Sequence, residues 1–151
     1  MITIESILKG HSFFKDLPSK YFDFIVGCAS NAVFKKGEVI LKEGQPADKF
    51  YVIRSGLVAI YIDQRRQNPI QTIHEGDILG WSWLIPPHRY RFSAEAVENT
   101  RAVVLDGKCL REKCEKNSDL GYELLKRLIR VFTQRLEATR LQLLDVYNIN
   151  I

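Results

Sequence analysis

Short apolar runs separated by turn-forming residues occupy the middle of this 151-residue chain and limit what it can fold into. Gly, Pro, Asn and Asp stand between the runs, and these residues favour turns. Many short strands at regular spacing are typical of an antiparallel barrel or a jelly roll. The predicted strands are Val39–Leu41, Phe50–Ile53, Leu57–Ile62, Ile70–Ile73, Ile78–Leu79, Phe92–Val97 and Ala102–Leu105.

Apolar residues at helical spacing flank this strand region on both sides. We therefore expect one domain over residues 1–151, with N-terminal helices over 1–32, a β-barrel over 33–106 and C-terminal helices over 107–151. The predicted fold class is mainly β with α-helices at both ends.

The last helix is expected to begin after a cap at Asn117 or Ser118 and to run to about Tyr147. Along it, apolar residues and one threonine recur at steps of four and three, which is a heptad seam. A helix this long must pack on something, because propensity alone stabilises it little. The seam either packs on the chain's own barrel or pairs with a second copy in a homodimer. Its residues are Leu125, Ile129, Phe132, Leu136, Thr139, Leu143 and Val146.

Composition narrows the function classes. The net charge of +4 is mild and does not by itself imply nucleic acid. The sequence contains no apolar run of about 18 residues and no secretory signal at its start, so we expect a cytoplasmic protein without membrane insertion. Paired carboxylates at useful spacing, a nucleophile elbow and a P-loop are all absent from the sequence, which indicates a protein that is not an enzyme.

Three cysteines, Cys28, Cys109 and Cys114, are a sparse and odd-numbered set. They fit buried thiols in a reducing compartment better than a disulfide framework. No His or Cys pair completes a metal-ligand set, so no metal site is expected.

Four blocks of sequence carry a more specific pattern: Phe13–Leu17, Phe34–Val58, Gly76–Gly80 and Thr100–Asp106. The second block spaces three glycines with isoleucines and a glutamate, and tight barrel turns need such glycines. Over nearly its whole length the chain resembles the cyclic-nucleotide-binding domain of the catabolite-activator (Crp-Fnr) type. The resemblance implies a double-stranded β-helix that acts as a regulatory module, with cyclic AMP or cyclic GMP as the ligand and no other cofactor.

In that family a short helix beginning at a glycine holds the cyclic phosphate with its first N–H groups, as helix N-termini do for anions. The resemblance places this cassette at Gly80, Trp81, Ser82 and Trp83. Trp81 stands where the family has an acidic residue for the ribose hydroxyl, and Trp83 stands at a small-residue position. The two tryptophans fill the ribose space, stack on a planar ligand, or plug the barrel as core.

An Arg that neutralises the phosphate follows the short helix in the family, and Arg89 and Arg91 are both candidates. Counting back from Ala96 places Tyr90 in that register, and one inserted or deleted residue restores either Arg. The resemblance also implies lid contacts from Arg135 and Thr139 on the long helix. The basic residues of that helix otherwise suggest its solvated side; they are Lys126, Arg127, Arg130, Arg135 and Arg140.

Two functions stay open. The first is a regulatory module that binds a cyclic nucleotide and signals through its C-terminal helix. The second is a degenerate scaffold for dimerisation or for an unknown protein partner. A hydrogen bond to a charged group contributes about 1.5–3 kcal/mol, so loss of the ribose acid weakens binding roughly ten- to a hundredfold. Because the sequence ends soon after Tyr147, no helix-turn-helix domain is expected to follow.

Overall fold

A computed structural model describes residues 2–65 and 67–148 of the chain. In these residues, strands form the middle of the molecule and helices form its two ends. The strands are β1 Ala29–Phe34, β2 Val39–Leu41, β3 Lys49–Ser55, β4 Leu57–Tyr61, β5 Gln71–His74, β6 Ile78–Leu79, β7 Ser93–Ala96 and β8 Thr100–Asp106. The helices are α1 Ile4–Gly10, α2 Phe22–Val26, α3 Gly107–Lys116 and α4 Ser118–Asn148, with short 3-10 turns at Ser12–Phe14, Ser19–Tyr21, Asp63–Arg65 and Trp81–Trp83.

The strands form two antiparallel four-stranded sheets, in the orders β1-β8-β3-β6 and β2-β7-β4-β5. Val52 on β3 lies opposite Val103 on β8, and Ala59 on β4 lies opposite Glu95 on β7. Side chains alternate between the two faces of a strand, so each sheet sends one set of apolar residues into the barrel. The predicted jelly roll with helices at both ends is confirmed.

The first strand begins at Ala29, whereas the sequence placed the start of the barrel at Val33. Half-buried and exposed residues are mixed along β1, so it shows no apolar run. The position of β1 is decided by its backbone pairing with β8. This pairing begins with Ala29 opposite Leu105.

Two buried clusters form the core. One fills the barrel and contains Ile53, Val58, Ile73 and Leu79 among others. The second lies between the barrel and the helices, and it includes Phe14, Phe50, Trp83, Leu120, Leu124 and Leu128. Burial of such side chains stabilises the fold by about 1.5–3 kcal/mol each, so the helices at both ends are held by apolar packing on the barrel.

Helix α4 is capped by Asn117, whose side-chain oxygen accepts a hydrogen bond from the backbone N–H of Leu120 at 3.3 Å. Its 31 residues span about 46 Å at 1.5 Å per residue. The buried residues of α4 end at Leu128. The helix therefore extends well past the part that packs on the barrel.

Most of the heptad seam of α4 is exposed to solvent. Leu125 is 44% exposed, Ile129 57% and Leu136 52%. Phe132 differs, because it packs against the helical cluster of the core. Of the two arrangements expected for the seam, packing on the chain's own barrel applies to Phe132 and not to these three residues.

The expectation of three buried thiols is wrong for two of the cysteines. Cys28, just before β1, is joined to Cys109 on α3 in a disulfide with a Cα–Cα distance of 5.7 Å. Spacing did not indicate this pair, because its members are 81 residues apart and meet only when α3 packs against the start of β1. Cys114 is the free cysteine, and burial raises the pKa of its thiol to about 11.

Two further findings concern the described residues alone. No helix among them is both long and apolar enough to cross a membrane. Within the same ranges, no three His, Cys, Asp or Glu side chains are grouped so that they would hold a metal ion.

Candidate functional site

The 3-10 turn Trp81–Trp83 is positioned by Gly80, which has a φ of 85°. A Cβ at this position would lie 2.9 Å from the carbonyl oxygen of Lys49 and 3.3 Å from Cε1 of Tyr90. Only glycine allows both this conformation and this close approach. The turn is therefore pressed against the inner wall of the barrel, where the resemblance places the phosphate cassette.

Trp83 is part of the core. It is fully buried, and its ring centroid lies 5.7 Å from that of Phe50. Its Cβ would lie 3.0 Å from a Cβ added at Gly107, so the two residues are in close contact. Its backbone carbonyl accepts a hydrogen bond from Arg111 on α3. Of the roles considered for Trp83, the structure shows that of a core residue.

Trp81 takes a different position. It is half-buried and lies between two other aromatic side chains. Its ring centroid is 4.9 Å from that of Phe132 on α4 and 6.3 Å from that of Phe92, just before β7. Where the resemblance places an acidic residue, this chain has an aromatic side chain that contacts α4. Ser82, between the two tryptophans, is buried.

A cavity of about 340 Å³ opens on the other side of Gly80, and we call it the barrel pocket. Its volume is at the lower end of the range of about 300–1,000 Å³ found for small-molecule sites. The cations along it are the exposed Lys42 and Lys49. Its lining residues are Val39, Ile40, Leu41, Lys42, Gln45, Pro46, Asp48, Lys49, Tyr51 and Tyr90.

Tyr90, which the count back from Ala96 places in the arginine register, lies in the barrel pocket. Its hydroxyl donates to the carbonyl of Lys49 at 2.7 Å and accepts from the N–H of Lys49 at 3.1 Å. Burial raises the pKa of Tyr90 to about 12, and it raises the pKa of Tyr51 as well. Both phenols are therefore neutral at ordinary pH and offer hydrogen bonds rather than charge.

Arg89 and Arg91 both have exposed side chains. Arg89 donates from Nη1 to the carbonyl of Gly44 at 2.8 Å, and its backbone bridges to Pro46, which lines the barrel pocket. Arg89 thus lies beside the rim of the pocket. Arg91 is not among the residues that line it.

The two implied lid residues are also outside the barrel pocket. Arg135 donates from Nη2 to the carbonyl of Ile78 at 2.7 Å, while Thr139 donates to the carbonyl of Arg135 within the helix. Burial lowers the pKa of Arg135, and Asp77 partly opposes this shift. The basic series is not uniformly solvated either, because Arg127 is only 5% exposed.

Sequence reasoning left Tyr90 and Tyr51 out of the candidate site. The signal for Tyr90 was present, since Ala96, Ala94 and Tyr90 are spaced by even steps and all three are buried in the barrel cluster. Tyr51 carried no comparable signal, because an aromatic residue within a strand is most simply core.

Comparison with known proteins agrees with this geometry. A model of the cyclic nucleotide-binding domain matches residues 32–117. The chain is 30% identical over 115 residues to the CRP-like cAMP-activated global transcriptional regulator of Mycobacterium tuberculosis, covering 75% of this chain and 50% of that protein. It is 33% identical over 103 residues to the nitrogen fixation regulation protein FixK of Azorhizobium caulinodans, covering 66% and 40% respectively.

Among solved structures, a putative cyclic nucleotide-binding protein from Geobacter metallireducens superposes with a TM-score of 0.81 at 29% identity, covering 89% of this chain and 99% of that one. The chain spans half or less of the length of the two curated regulators it matches. The matched region contains all of β2–β8 and α3, together with the cassette. The chain belongs to the cyclic nucleotide-binding domain family.

Proposed function

We propose that this chain is a regulatory module in which occupancy of the barrel pocket changes the position of α4. The observation that carries the proposal is the contact between Trp81 of the cassette turn and Phe132 of α4, at 4.9 Å between ring centroids. A ligand that moves the turn also moves this contact, and α4 is then the element with two positions. No catalytic role forms part of the proposal.

Cyclic AMP and cyclic GMP are the first ligands to consider. The M. tuberculosis relative is by name activated by cyclic AMP. In the proposed complex, backbone N–H groups of the turn Gly80–Trp83 face the cyclic phosphate, and Ser82 lies within this turn. Arg89 provides the counter-charge from the rim, because its backbone is already paired with Pro46 of the pocket wall. Trp81 replaces the ribose acid, so we expect weak binding.

Isothermal titration with both nucleotides tests this proposal. We expect saturable binding in the micromolar to sub-millimolar range. Arg89→Ala should weaken binding about tenfold or more, because a charge-assisted hydrogen bond is lost. Arg91→Ala is the matched control and should leave the affinity unchanged. Equal effects of the two substitutions would contradict the role given to Arg89.

The second candidate function is a scaffold whose barrel binds no nucleotide. The observation that favours it is the Tyr90 hydroxyl, which is satisfied on the backbone of Lys49. The count back from Ala96 places this residue in the arginine register. Absence of heat with both nucleotides, together with an unchanged melting temperature, would support the scaffold and reject the sensor.

We also propose that α4 forms a homodimer through its heptad seam. Leu125, Ile129, Leu136, Leu143 and Val146 are exposed along one side of the helix. In water an apolar stripe of this length favours a partner helix. The proposal holds for either function of the barrel, since these five residues are exposed in the single chain.

Sedimentation of a charged variant tests the dimer. The double substitution Ile129→Lys and Leu136→Lys should give monomers, because both residues are exposed in the single chain and their change spares its core. Phe132 is left intact, since it also packs on Trp81. Glu137→Lys, exposed and outside the seam, is the control. A dimer that persists in the double variant would exclude the seam as the interface.

We also propose that the chain is located in the cytoplasm and that it makes no contacts with nucleic acid. The net charge of +4 gives the chain little attraction for a phosphate backbone. The Cys28–Cys109 disulfide argues against a reducing compartment. Mass spectrometry after alkylation in freshly lysed cells decides the point: two free thiols at Cys28 and Cys109 would support the cytoplasm, and a disulfide would contradict it.

A further inference from the structure

A second cavity, of about 330 Å³, lies outside the barrel between α4 and the turn that leads into β6. We call it the α4 cleft. One face of α4 forms one wall, and Gly76–Ile78 forms the other, with Ser12 and Phe13 at the end. Its charged and amide-bearing residues are Gln71, Asp77, Arg127, Arg130, Gln134 and Arg135.

Arg135 is held in place across this cleft. Its Nη2 donates to the carbonyl of Ile78 at 2.7 Å, so the guanidinium of a half-buried side chain is fixed on the opposite wall. A guanidinium carries five N–H donors, and this bond uses one of them. The remaining donors of Arg135 have no hydrogen-bond partner in residues 2–65 and 67–148. An oriented guanidinium with unused donors suits a planar or tetrahedral oxyanion.

Arg127 forms a rigid part of the same wall. It is 5% exposed, and its Nη1 donates to the Glu123 carboxylate at 2.8 Å. Its Nη2 donates to the carbonyl of Lys15 at 2.9 Å, which ties α4 to the N-terminal segment. Its Nε–H is buried without a hydrogen-bond partner. The side chain therefore adds a fixed positive charge to the cleft, and one of its donors is unsatisfied.

Arg130 is exposed on the same face and has no ion pair within the described part of the chain. Two carboxylates oppose the three arginines. Asp77 lines the cleft, and Glu123 pairs with Arg127 and Lys126. With Lys126 counted beside its partner Glu123, four positive and two negative charges leave a surplus of two positive charges.

We propose that the α4 cleft is a second binding site, separate from the barrel pocket, for a small ligand with a phosphate or carboxylate group. The free donors of Arg130 and Arg135 hold the oxyanion, and the amides of Gln134 and Gln71 orient the rest of the ligand. None of the seam residues lines the cleft, so ligand binding and pairing of two α4 helices are compatible. A ligand in the cleft would contact both α4 and Ile78, the first residue of β6, which lies two residues before Gly80.

Calorimetric titration at low salt with inorganic pyrophosphate and, separately, with succinate tests the proposal on the intact chain. We expect saturable binding of at least one probe, and the stronger of the two identifies the phosphate or the carboxylate as the preferred group. In ¹⁵N NMR spectra the Nε–H signal of Arg135 should shift on titration. Arg135→Gln and Arg130→Gln should each weaken binding about tenfold or more. Arg135→Lys keeps the charge but not the fork, so it should fall between wild type and Arg135→Gln.

Two controls separate binding in the α4 cleft from binding elsewhere on the chain. Arg140→Gln, on the same helix but outside the cleft, should leave the affinity unchanged. Arg89→Ala should also leave it unchanged, because Arg89 lies at the barrel pocket. Equal weakening by Arg140→Gln would mean diffuse attraction to a basic helix, and weakening by Arg89→Ala would place the anion in the barrel pocket. Either result, or absence of saturation with both probes, would overturn the proposal.

Discussion

The barrel pocket and the α4 cleft lie on the two sides of one short stretch, Ile78–Gly80, yet they offer different groups to an anion. The cations of the barrel pocket are the exposed Lys42 and Lys49, its other lining residues are mostly aromatic or aliphatic, and its Tyr90 hydroxyl is satisfied on the backbone. The α4 cleft contains three arginines, one of them with most of its donors unused. In this chain the strongest concentration of guanidinium groups is outside the barrel.

This difference shows that the backbone conformation of a ligand site can be kept while the charges of its side chains change. Gly80 keeps the backbone of the cassette, because its positive φ and its approach to Lys49 admit no side chain. The side chains at Trp81, Trp83 and Tyr90 are under no such backbone constraint. A cassette with aromatic residues at these positions therefore still folds, and its chemistry changes without any change of the fold.

The largest expected effect concerns Trp83, which belongs to the core cluster between the barrel and the helices. Trp83→Ala should lower the free energy of unfolding by about 3–5 kcal/mol, since it removes a fully buried aromatic side chain. Trp81→Ala, at a half-buried site, should cost less than half of that. Urea denaturation followed by circular dichroism measures both values. Equal losses of stability would contradict the assignment of Trp83 to the core and of Trp81 to the contact with α4.

A smaller effect on stability is expected at Tyr90. Substitution of this residue tests whether its hydroxyl closes the barrel pocket. Tyr90→Phe removes both hydrogen bonds to the Lys49 backbone and should cost about 1–2 kcal/mol. Tyr51→Phe is the control, because the Tyr51 hydroxyl has no hydrogen bond in the part of the chain that the structure describes. If the two variants are equally stable, the Tyr90 hydroxyl does not close the pocket, and the contrast with the cleft is weaker.

The smallest expected effect is a pH dependence at His11, which precedes the two residues at the end of the α4 cleft, Ser12 and Phe13. His11 Nε2 donates to the carbonyl of Ile53 at 3.0 Å, and Nδ1 accepts from the N–H of Phe13 at 3.1 Å, which fixes the neutral ring. Burial lowers the pKa of His11, although Asp77 and Glu75 oppose the shift. Below the unfolded value of about 6.5 the unfolded chain binds a proton that the folded chain does not, so stability is complete above that pH and falls below it.

Thermal unfolding of the wild type and His11→Gln between neutral and mildly acidic pH measures this effect. The variant should lose the part of the acid destabilisation that begins near the unfolded pKa of histidine. Parallel curves for the two proteins would show that protonation of His11 does not change the stability of the fold.

Much of the fold followed from the sequence. The predicted runs Val39–Leu41 and Ile78–Leu79 coincide with β2 and β6, because a short apolar run and the turns that flank it are signals within a few residues. β1 was missed, since its pairing with β8 is a long-range interaction that leaves no apolar run in the sequence. The cysteine pair was missed for the same reason, as 81 residues separate its members.

The candidate site was less accessible to sequence reasoning. Gly80 was located correctly at the turn because its backbone requirement is local. The side that each of Arg89, Tyr90 and Arg91 faces depends on the register after the loop, and a shift by one residue reverses it. The α4 cleft was not predicted at all, because its walls come from segments more than 50 residues apart, as the Arg135–Ile78 bond illustrates.

The bond between Cys28 and Cys109 has a consequence for the topology of the whole molecule. The two cysteines bracket every residue from β1 to β8. The barrel is therefore a covalent macrocycle from which only the N-terminal segment and the end of α3 with α4 emerge. A single cut of the backbone inside this ring, for example between β4 and β5, leaves both pieces tethered, so the two tails stay joined through sulfur even when the peptide chain between them is broken.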